Sequence, residues 1–390
     1  MPWLAQTLPF AADILAAAPF SGTLHVFSQN NVRLDHIYFD TNAGLWRVDY
    51  LDIGCTTQAP EQISAVQLGN ELHVFYRACS PIAGYGIRHA RLSQGGWSFE
   101  TLDPNPKNCR GVHCAATVFN GELHVFDSPN GVGIYHAWRD KRWRFEVLDD
   151  KDAGCSTGIG AATTVFRGRE LHVFSSPNFE TGIRWGKFDG KWQFQKLDVR
   201  DSFYPYAAVE FGGDLHVFAT PLPQGKAPTP RWPGIRHGVL NGRWYFHTLD
   251  GGLSAGVKAA VVYGNRLDVF SNTPSQQVQV LNWFGYASPS LPSGLTGAEW
   301  QLISPPSAAY ERLRLGPNLS IETATRTGIR HGFWAGRWQF ETLDPDGSGM
   351  TPTIAATVFR PPGKPLGLNV FTWSKSSVAP ADLRHTSFVP

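Results

Sequence analysis

GIYHAWRDKRWRFEVLD, Gly133–Asp149, is a sentence the chain repeats. It returns as GIRHARLSQGGWSFETLD at Gly86–Asp103, GIRWGKFDGKWQFQKLD at Gly182–Asp198, GIRHGVLNGRWYFHTLD at Gly234–Asp250 and GIRHGFWAGRWQFETLD at Gly328–Asp344. Each copy reads as a hairpin: one run reaches a turn such as DG, NG or AG, and a second run built on W-x-F returns. Before most copies stands LHVF, and before that a small apolar run such as AATVF. The runs are too short for typical helices, are rich in β-branched and aromatic residues, and are separated by Gly, Pro, Asn and Asp.

Four short strands per unit, repeating at 40–50 residues, are the mark of propeller blades. The Trp of the fourth strand recurs at Trp3, Trp46, Trp97, Trp143, Trp192, Trp244, Trp300 and Trp338. That predicts an all-β, eight-bladed propeller forming a single domain over residues 1–390, with seven blades as the alternative. The weak points are the sixth and seventh units, where VQVLNWFGYASPS has lost the GIRH wording and NLSIETA replaces LHVF. The chain opens with a lone fourth strand, PWLAQTL, and closes with three strands that lack a fourth. The expectation is therefore a ring whose last blade is completed by the N-terminal strand, which removes the open edge.

Composition agrees. The 390 residues are 42% hydrophobic, 13% aromatic and 17% charged, which suits a sizeable β-rich core. A net charge of +2 without a basic run gives no footprint for nucleic acid. No apolar run reaches the ~18 residues of a membrane span. The N-terminus lacks a basic region and is interrupted by Pro9, Asp13 and Pro19, so no signal peptide is expected and the protein is read as cytoplasmic or non-classically secreted. Oligomer formation stays open. Cys55, Cys79, Cys109, Cys114 and Cys155 form no C-x-x-C pair; Cys109 and Cys114 could pair, but buried or free thiols are the expectation.

Three sets of residues could carry chemistry. His25, His73, His124, His172 and His216 occupy the second strand, and His36, His89, His136, His237, His331 and His385 the third. A residue repeated in most blades is a property of the blade, so these read as buried hydrogen-bonding groups; no metal site and no cofactor are expected. Before the third-strand His stands Arg88, Arg184, Arg236, Arg330 or Arg384, with Asp35 and Tyr135 in two blades. The fourth strand supplies Glu100, Glu146 and Glu341, with Gln195 and His247 as variants. Arg, carboxylate and Trp together suit a sugar, whose hydroxyls take charged hydrogen bonds while its apolar face stacks on a ring. The competing and favoured reading is an Arg–Glu pair within each blade, with the Trp in the core. The third set lies on the unrepeated connectors around one mouth of the channel: Cys109, His113, Tyr204, Tyr206, Lys258 and Tyr310. Variation on a constant scaffold is where one unique pocket would sit. Two loop-like insertions, Ala219–Pro233 and Tyr286–Ala298, complete the irregular parts.

The wording LHVF…GIRHA…W-x-FETLD resembles the repeats of fucose-binding β-propeller lectins, fungal and bacterial, over most of the chain. The resemblance implies a small-molecule or glycan ligand in clefts between blades, held by Arg, Glu and an aromatic ring. It implicates Arg88 with Glu100 and Arg330 with Glu341, beside Trp97 and Trp338, while Arg184 with Gln195 and Arg236 with His247 depart from the pattern. The alternative is an enzyme of secondary metabolism, a cyclase or lyase that uses the scaffold to hold one ligand at the channel mouth.

Overall fold

The computed structural model describes residues 4–8, 14–30, 33–40, 43, 45–53, 63–80, 84–102, 114–127, 133–149, 162–176, 182–198, 203–221, 234–249, 257–263, 266–272, 278–280, 322–324, 329–334, 338–343, 353–360, 367–374 and 382–388. Every element among them is a strand, and no helix is long and apolar enough to cross a membrane.

Strand β1 (Leu4–Leu8) stands apart from its neighbours in sequence. Blade 1 follows as β2 (Ile14–Phe20), β3 (Thr23–Asn30), β4 (Arg33–Asp40) and β5 (Leu45–Leu51). Blade 2 is β6 (Ser64–Leu68), β7 (Glu71–Ser80), β8 (Gly84–Ser93) and β9 (Gly96–Leu102). Blade 3 is β10 (Cys114–Phe119), β11 (Glu122–Asp127), β12 (Ile134–Arg139) and β13 (Trp143–Leu148). Blade 4 is β14 (Ala162–Phe166), β15 (Glu170–Ser175), β16 (Ile183–Phe188) and β17 (Trp192–Leu197). Blade 5 is β18 (Phe203–Phe211), β19 (Asp214–Pro221), β20 (Ile235–Asn241) and β21 (Arg243–Leu249). Strands β22 (Val257–Tyr263), β23 (Arg266–Asn272), β24 (Val278–Val280), β25 (Glu322–Ala324), β26 (Ile329–Trp334) and β27 (Trp338–Leu343) come next. The chain ends with β28 (Thr353–Phe359), β29 (Gly367–Ser374) and β30 (Asp382–Phe388).

All pairing is antiparallel, and the described residues form seven four-stranded sheets and one two-stranded ribbon. This corrects the expectation of eight blades. Strand β23 pairs directly with β26, Leu267 against Trp334 and Asn272 against Ile329, so blade 6 is β22-β23-β26-β27. The LDVF of β23 finds its GIRH partner across a long insertion, and β24–β25 is a ribbon within that insertion. The two units read from the eroded wording are therefore one blade, and Trp300 lies outside the described residues.

The ring closes as the termini predict. β1 pairs with β30, Leu4 against Ser387 and Thr7 against Arg384, and completes blade 7 in the order β1-β30-β29-β28. The innermost strands β2, β6, β10, β14, β18, β22 and β28 pack in that order, and β28 returns to β2.

Each second strand shows why both sheet faces are covered. In β7, Leu72 and Val74 point one way and His73 and Phe75 the other, and all four are buried. The core is divided accordingly into one cluster per joint. Phe75, Leu102, Leu123 and Val125, for example, join blades 2 and 3, while Leu24, Val26, Phe359 and Phe371 join blades 1 and 7. Gly133 and Gly182 begin third strands at φ of 94° and 103°; a Cβ there would stand 2.8 Å from the Leu148 carbonyl oxygen or 2.6 Å from that of Leu197. This is why the repeat opens with glycine.

Removing residues 1–8 leaves β30 as a bare edge and blade 7 with three strands. The truncated protein is expected to melt at a lower temperature and to associate, as followed by thermal unfolding and size-exclusion chromatography.

Candidate functional site

The repeated polar side chains among the described residues converge on the joints between blades. A strand sends alternate side chains to opposite faces, so the adjacent Arg and His of GIRH serve different neighbours. Cross-strand pairs share a face: Arg88 lies opposite Thr101, and His89 opposite Glu100.

On one face the arginine reaches back to the preceding blade. Arg88 donates from Nε to Asp52 Oδ2 (2.9 Å), from Nη2 to Asp52 Oδ1 (2.8 Å) and from Nη1 to Thr101 Oγ1 (3.0 Å). Asp52 also accepts from the Tyr76 hydroxyl at 2.5 Å. Arg184 makes the same two-pronged contact with Asp149, 2.5 Å at Nε. Arg236 donates to Asp198 at 2.5 Å and to Thr248 Oγ1 at 3.3 Å. The three aspartates each close a fourth strand at positive φ (46°, 57° and 46°), a conformation Asp tolerates better than most residues, and their carboxylates are 9% exposed or less. The favoured sequence reading of an Arg–Glu pair within each blade is thus corrected: the partner is the closing Asp of the blade before, because Glu100 faces the other way. The signal was present in the letters. The GIR sentences mostly end in Asp, and blade 1, which carries Asp35 in place of Arg, follows the one fourth strand closed by Pro9.

On the other face the histidine builds a ladder across the sheet. In blade 2, His89 Nδ1–H donates to Glu100 Oε1 (2.8 Å), leaving His89 Nε2 to accept from His73 Nδ1–H (2.9 Å). Glu100 Oε1 also accepts from the indole N–H of Trp143 in blade 3 (2.9 Å). Blade 3 repeats this with His124, His136 and Glu146 at 3.0 and 2.8 Å, and Glu146 accepts from Trp192 of blade 4. Blade 5 runs in the opposite sense. His216 Nε2–H donates to the Phe211 carbonyl (3.3 Å), so His237 donates to His216 (3.0 Å) and His247 to His237 (3.1 Å). In blade 4, Trp185 replaces the third-strand His and donates to His172 Nδ1 at 2.8 Å. In blade 6, His331 Nε2 meets Asp268 Oδ1 at 2.7 Å.

Above each ladder sits an aromatic stack. Phe75 lies flat on His89 (centroids 4.7 Å), and Trp143 of the next blade stands edge-on to both, at 5.9 and 5.5 Å. Trp192 stands likewise on Phe126 and His136, Trp338 on Phe218 and His237, and Trp97 on Phe27 and His36. Trp244 does the same to Phe174 and Trp185, and Trp46 packs edge-on to Phe371. Trp97 and Trp338 are therefore wedges between blades.

Burial fixes the charge states. It lowers the pKa of His25, His124, His172 and His216 to about 4, and of His36, His73 and His247 to about 3. These imidazoles are neutral at pH 7. The hydrogen bond from His89 holds Glu100 well below the usual carboxylate range, and that from His136 does the same for Glu146. Among the described residues no cluster of His, Cys, Asp and Glu could hold a metal ion. Cys114 is a free, buried thiol whose S–H donates to the Phe75 carbonyl at 3.2 Å; burial pushes its pKa up, away from nucleophilic use.

The remaining candidates are less gathered. Arg330 lies opposite Thr342 and His331 opposite Glu341, the register of Arg88 and Glu100; the side chains of Arg330 and Glu341 lie outside the described residues. Of the channel-mouth set, Tyr204 and Tyr206 begin the innermost strand of blade 5, at a bulge between Pro205 and Ala207, and Tyr206 packs against the core between blades 5 and 6. Lys258 belongs to β22, while Cys109, His113 and Tyr310 lie outside the described residues, as do the tips of both insertions.

No protein-family model matches the sequence, and no curated protein does. Solved structures do. The polysaccharide lyase Uly1 superposes with a TM-score of 0.53 at 9% identity, covering 98% of this chain and 90% of its own. The SapL1 lectin, solved with alpha methyl fucoside, gives 0.49 at 15% identity over 87% of this chain and 98% of its own. The six-bladed fucose-recognising lectin of Aleuria aurantia gives 0.48 at 12% identity over 89% of this chain and 99% of its own. At these identities the likeness is one of fold: this chain is an all-β propeller of four-stranded blades.

Two predictions follow from the joints. Between pH 6.5 and about 4 the unfolded chain takes up protons that the buried histidines refuse, so stability rises with pH across this window and is lost as pH falls. A His held at about 4 rather than 6.5 costs roughly 3 kcal/mol of stability once pH has fallen through about 4; urea melts at pH 7 and pH 4.5 are expected to differ by several kcal/mol. Separately, Arg236→Ala strands the Asp198 carboxylate in the joint and is expected to cost ~3–5 kcal/mol in the same melts at pH 7.

Proposed function

We propose that the protein binds carbohydrate in the clefts between its blades, a neutral monosaccharide or glycan terminus of the fucose type. One observation carries the reading: the ionised carboxylates of Glu100 and Glu146 are pre-oriented at the joints yet remain open to solvent. Glu100 is 52% exposed at its side chain, although its Oε1 is fixed by His89 and by Trp143 of the adjoining blade. Glu146 stands the same way between His136 and Trp192. A fixed, ionised acceptor beside an indole suits a sugar hydroxyl with an apolar ring face next to it. Because the carboxylate is held before the ligand arrives, little ordering entropy is lost on binding.

In this reading the arginines change role. Arg88, Arg184 and Arg236 hold the blades together through buried aspartates, and the sugar contacts fall to the glutamate–tryptophan face.

Titration calorimetry with alpha methyl fucoside, backed by a glycan array, tests this. Native protein is expected to bind at several equivalents, and Glu100→Gln or Glu146→Gln to remove about one each with only a small change in melting temperature. Saccharide binding that both variants retain in full would refute the assignment.

A further inference from the structure

The joint between blades 7 and 1 is built differently. Its closing strand β1 is followed by Pro9 rather than Asp, and the position of Arg88 and Arg236 is taken by Asp35. The threonine that braces the arginine in blades 2 and 5 is replaced by Tyr50, which lies opposite Asp35 as Thr101 lies opposite Arg88. A guanidinium enters from a new place: Arg33 Nε donates to the buried Asp35 Oδ1 at 2.5 Å, and its guanidinium carbon lies 3.6 Å over the Tyr50 ring.

This cluster faces outward. With Arg33 over one face, Tyr50 is still 52% exposed and the Arg33 side chain 31%, against 10–15% for Arg88, Arg184 and Arg236. Trp46 and Val48, on the same face of β5, pack into the core shared with Phe371 of blade 7. Tyr50 comes next along that face, so it carries the apolar seam of the joint out to solvent. Ile53, 69% exposed, lies just beyond it in the chain.

We infer that Arg33, Asp35 and Tyr50 form a saccharide subsite at the 7/1 joint, distinct from the Glu100 and Glu146 clefts. Its parts are an exposed aromatic ring, an arginine steered by a carboxylate and an adjacent apolar edge. Asp35 cancels the charge of Arg33, so the site suits a neutral sugar rather than a uronate or phosphate. The inference rests on the carbohydrate reading above.

The test is titration of alpha methyl fucoside, methyl galactoside and methyl mannoside into the folded Glu100→Gln/Glu146→Gln protein, followed by saturation-transfer NMR. About one equivalent of binding to one of these sugars is expected to remain. Adding Tyr50→Ala, an exposed position whose loss leaves the melting temperature nearly unchanged, is expected to weaken it by about tenfold or more. Arg33→Lys, which keeps the charge beside Asp35 but loses the planar fork, is expected to weaken it less. Residual binding that Tyr50→Ala leaves unchanged overturns this subsite while sparing the carbohydrate reading, and so does a double variant with no residual binding. Native protein that binds none of the three sugars overturns both.

Discussion

A tryptophan driven edge-on into the stacked Phe and His of the blade before it is the contact on which this ring depends. It turns an isolated four-stranded sheet, with both faces apolar, into a member of a closed circle. Every described joint from blade 7 to blade 1 and on to blade 6 carries such a wedge, and the indole N–H does more than fill space. At Trp143 and Trp192 it donates to a glutamate of the neighbouring blade, so the wedge and the polar ladder are one construction. The ring geometry constrains chemistry in turn, because a histidine sandwiched between Phe and His in a dry joint must stay neutral.

The buried arginine–aspartate clamp is the second constraint. A carboxylate hidden in a joint is tolerable only with a partner that answers both oxygens, and arginine does so with a planar fork. An arginine used this way is committed to an aspartate at three of the described joints. In the proposed reading, recognition falls to the solvent side of the glutamates and to the 7/1 joint, where Asp35 takes the place of the clamp arginine. Erosion of the repeat is therefore informative: the place where the common wording fails is where a new arrangement of Arg33, Asp35 and Tyr50 stands.

Much of the architecture could be read from the letters. W-x-F and LHVF mark strands because their period is that of blades, and PWLAQTL declares itself the missing strand of blade 7. The blade number was misread because the sequence between β23 and β26 holds a Trp and strand-like words, and strand pairing across so long an insertion leaves no local trace. The site was legible in parts. The residue types at the joints can be read from the sequence, but an Arg88–Glu100 pair cannot form within the blade, because strand parity sends the two to opposite faces. Tyr50 and Arg33 match no repeat, and a residue that matches no repeat has no pattern to announce it.

A crystal structure of the protein soaked in alpha methyl fucoside addresses the central claim most directly, that recognition happens at the joints while the clamp arginines are structural. The account predicts sugar density beside Glu100 and Trp143 or against Tyr50, with the Asp52–Arg88, Asp149–Arg184 and Asp198–Arg236 pairs unbroken. Density on the channel axis, or a sugar that has displaced an aspartate from its arginine, would contradict it.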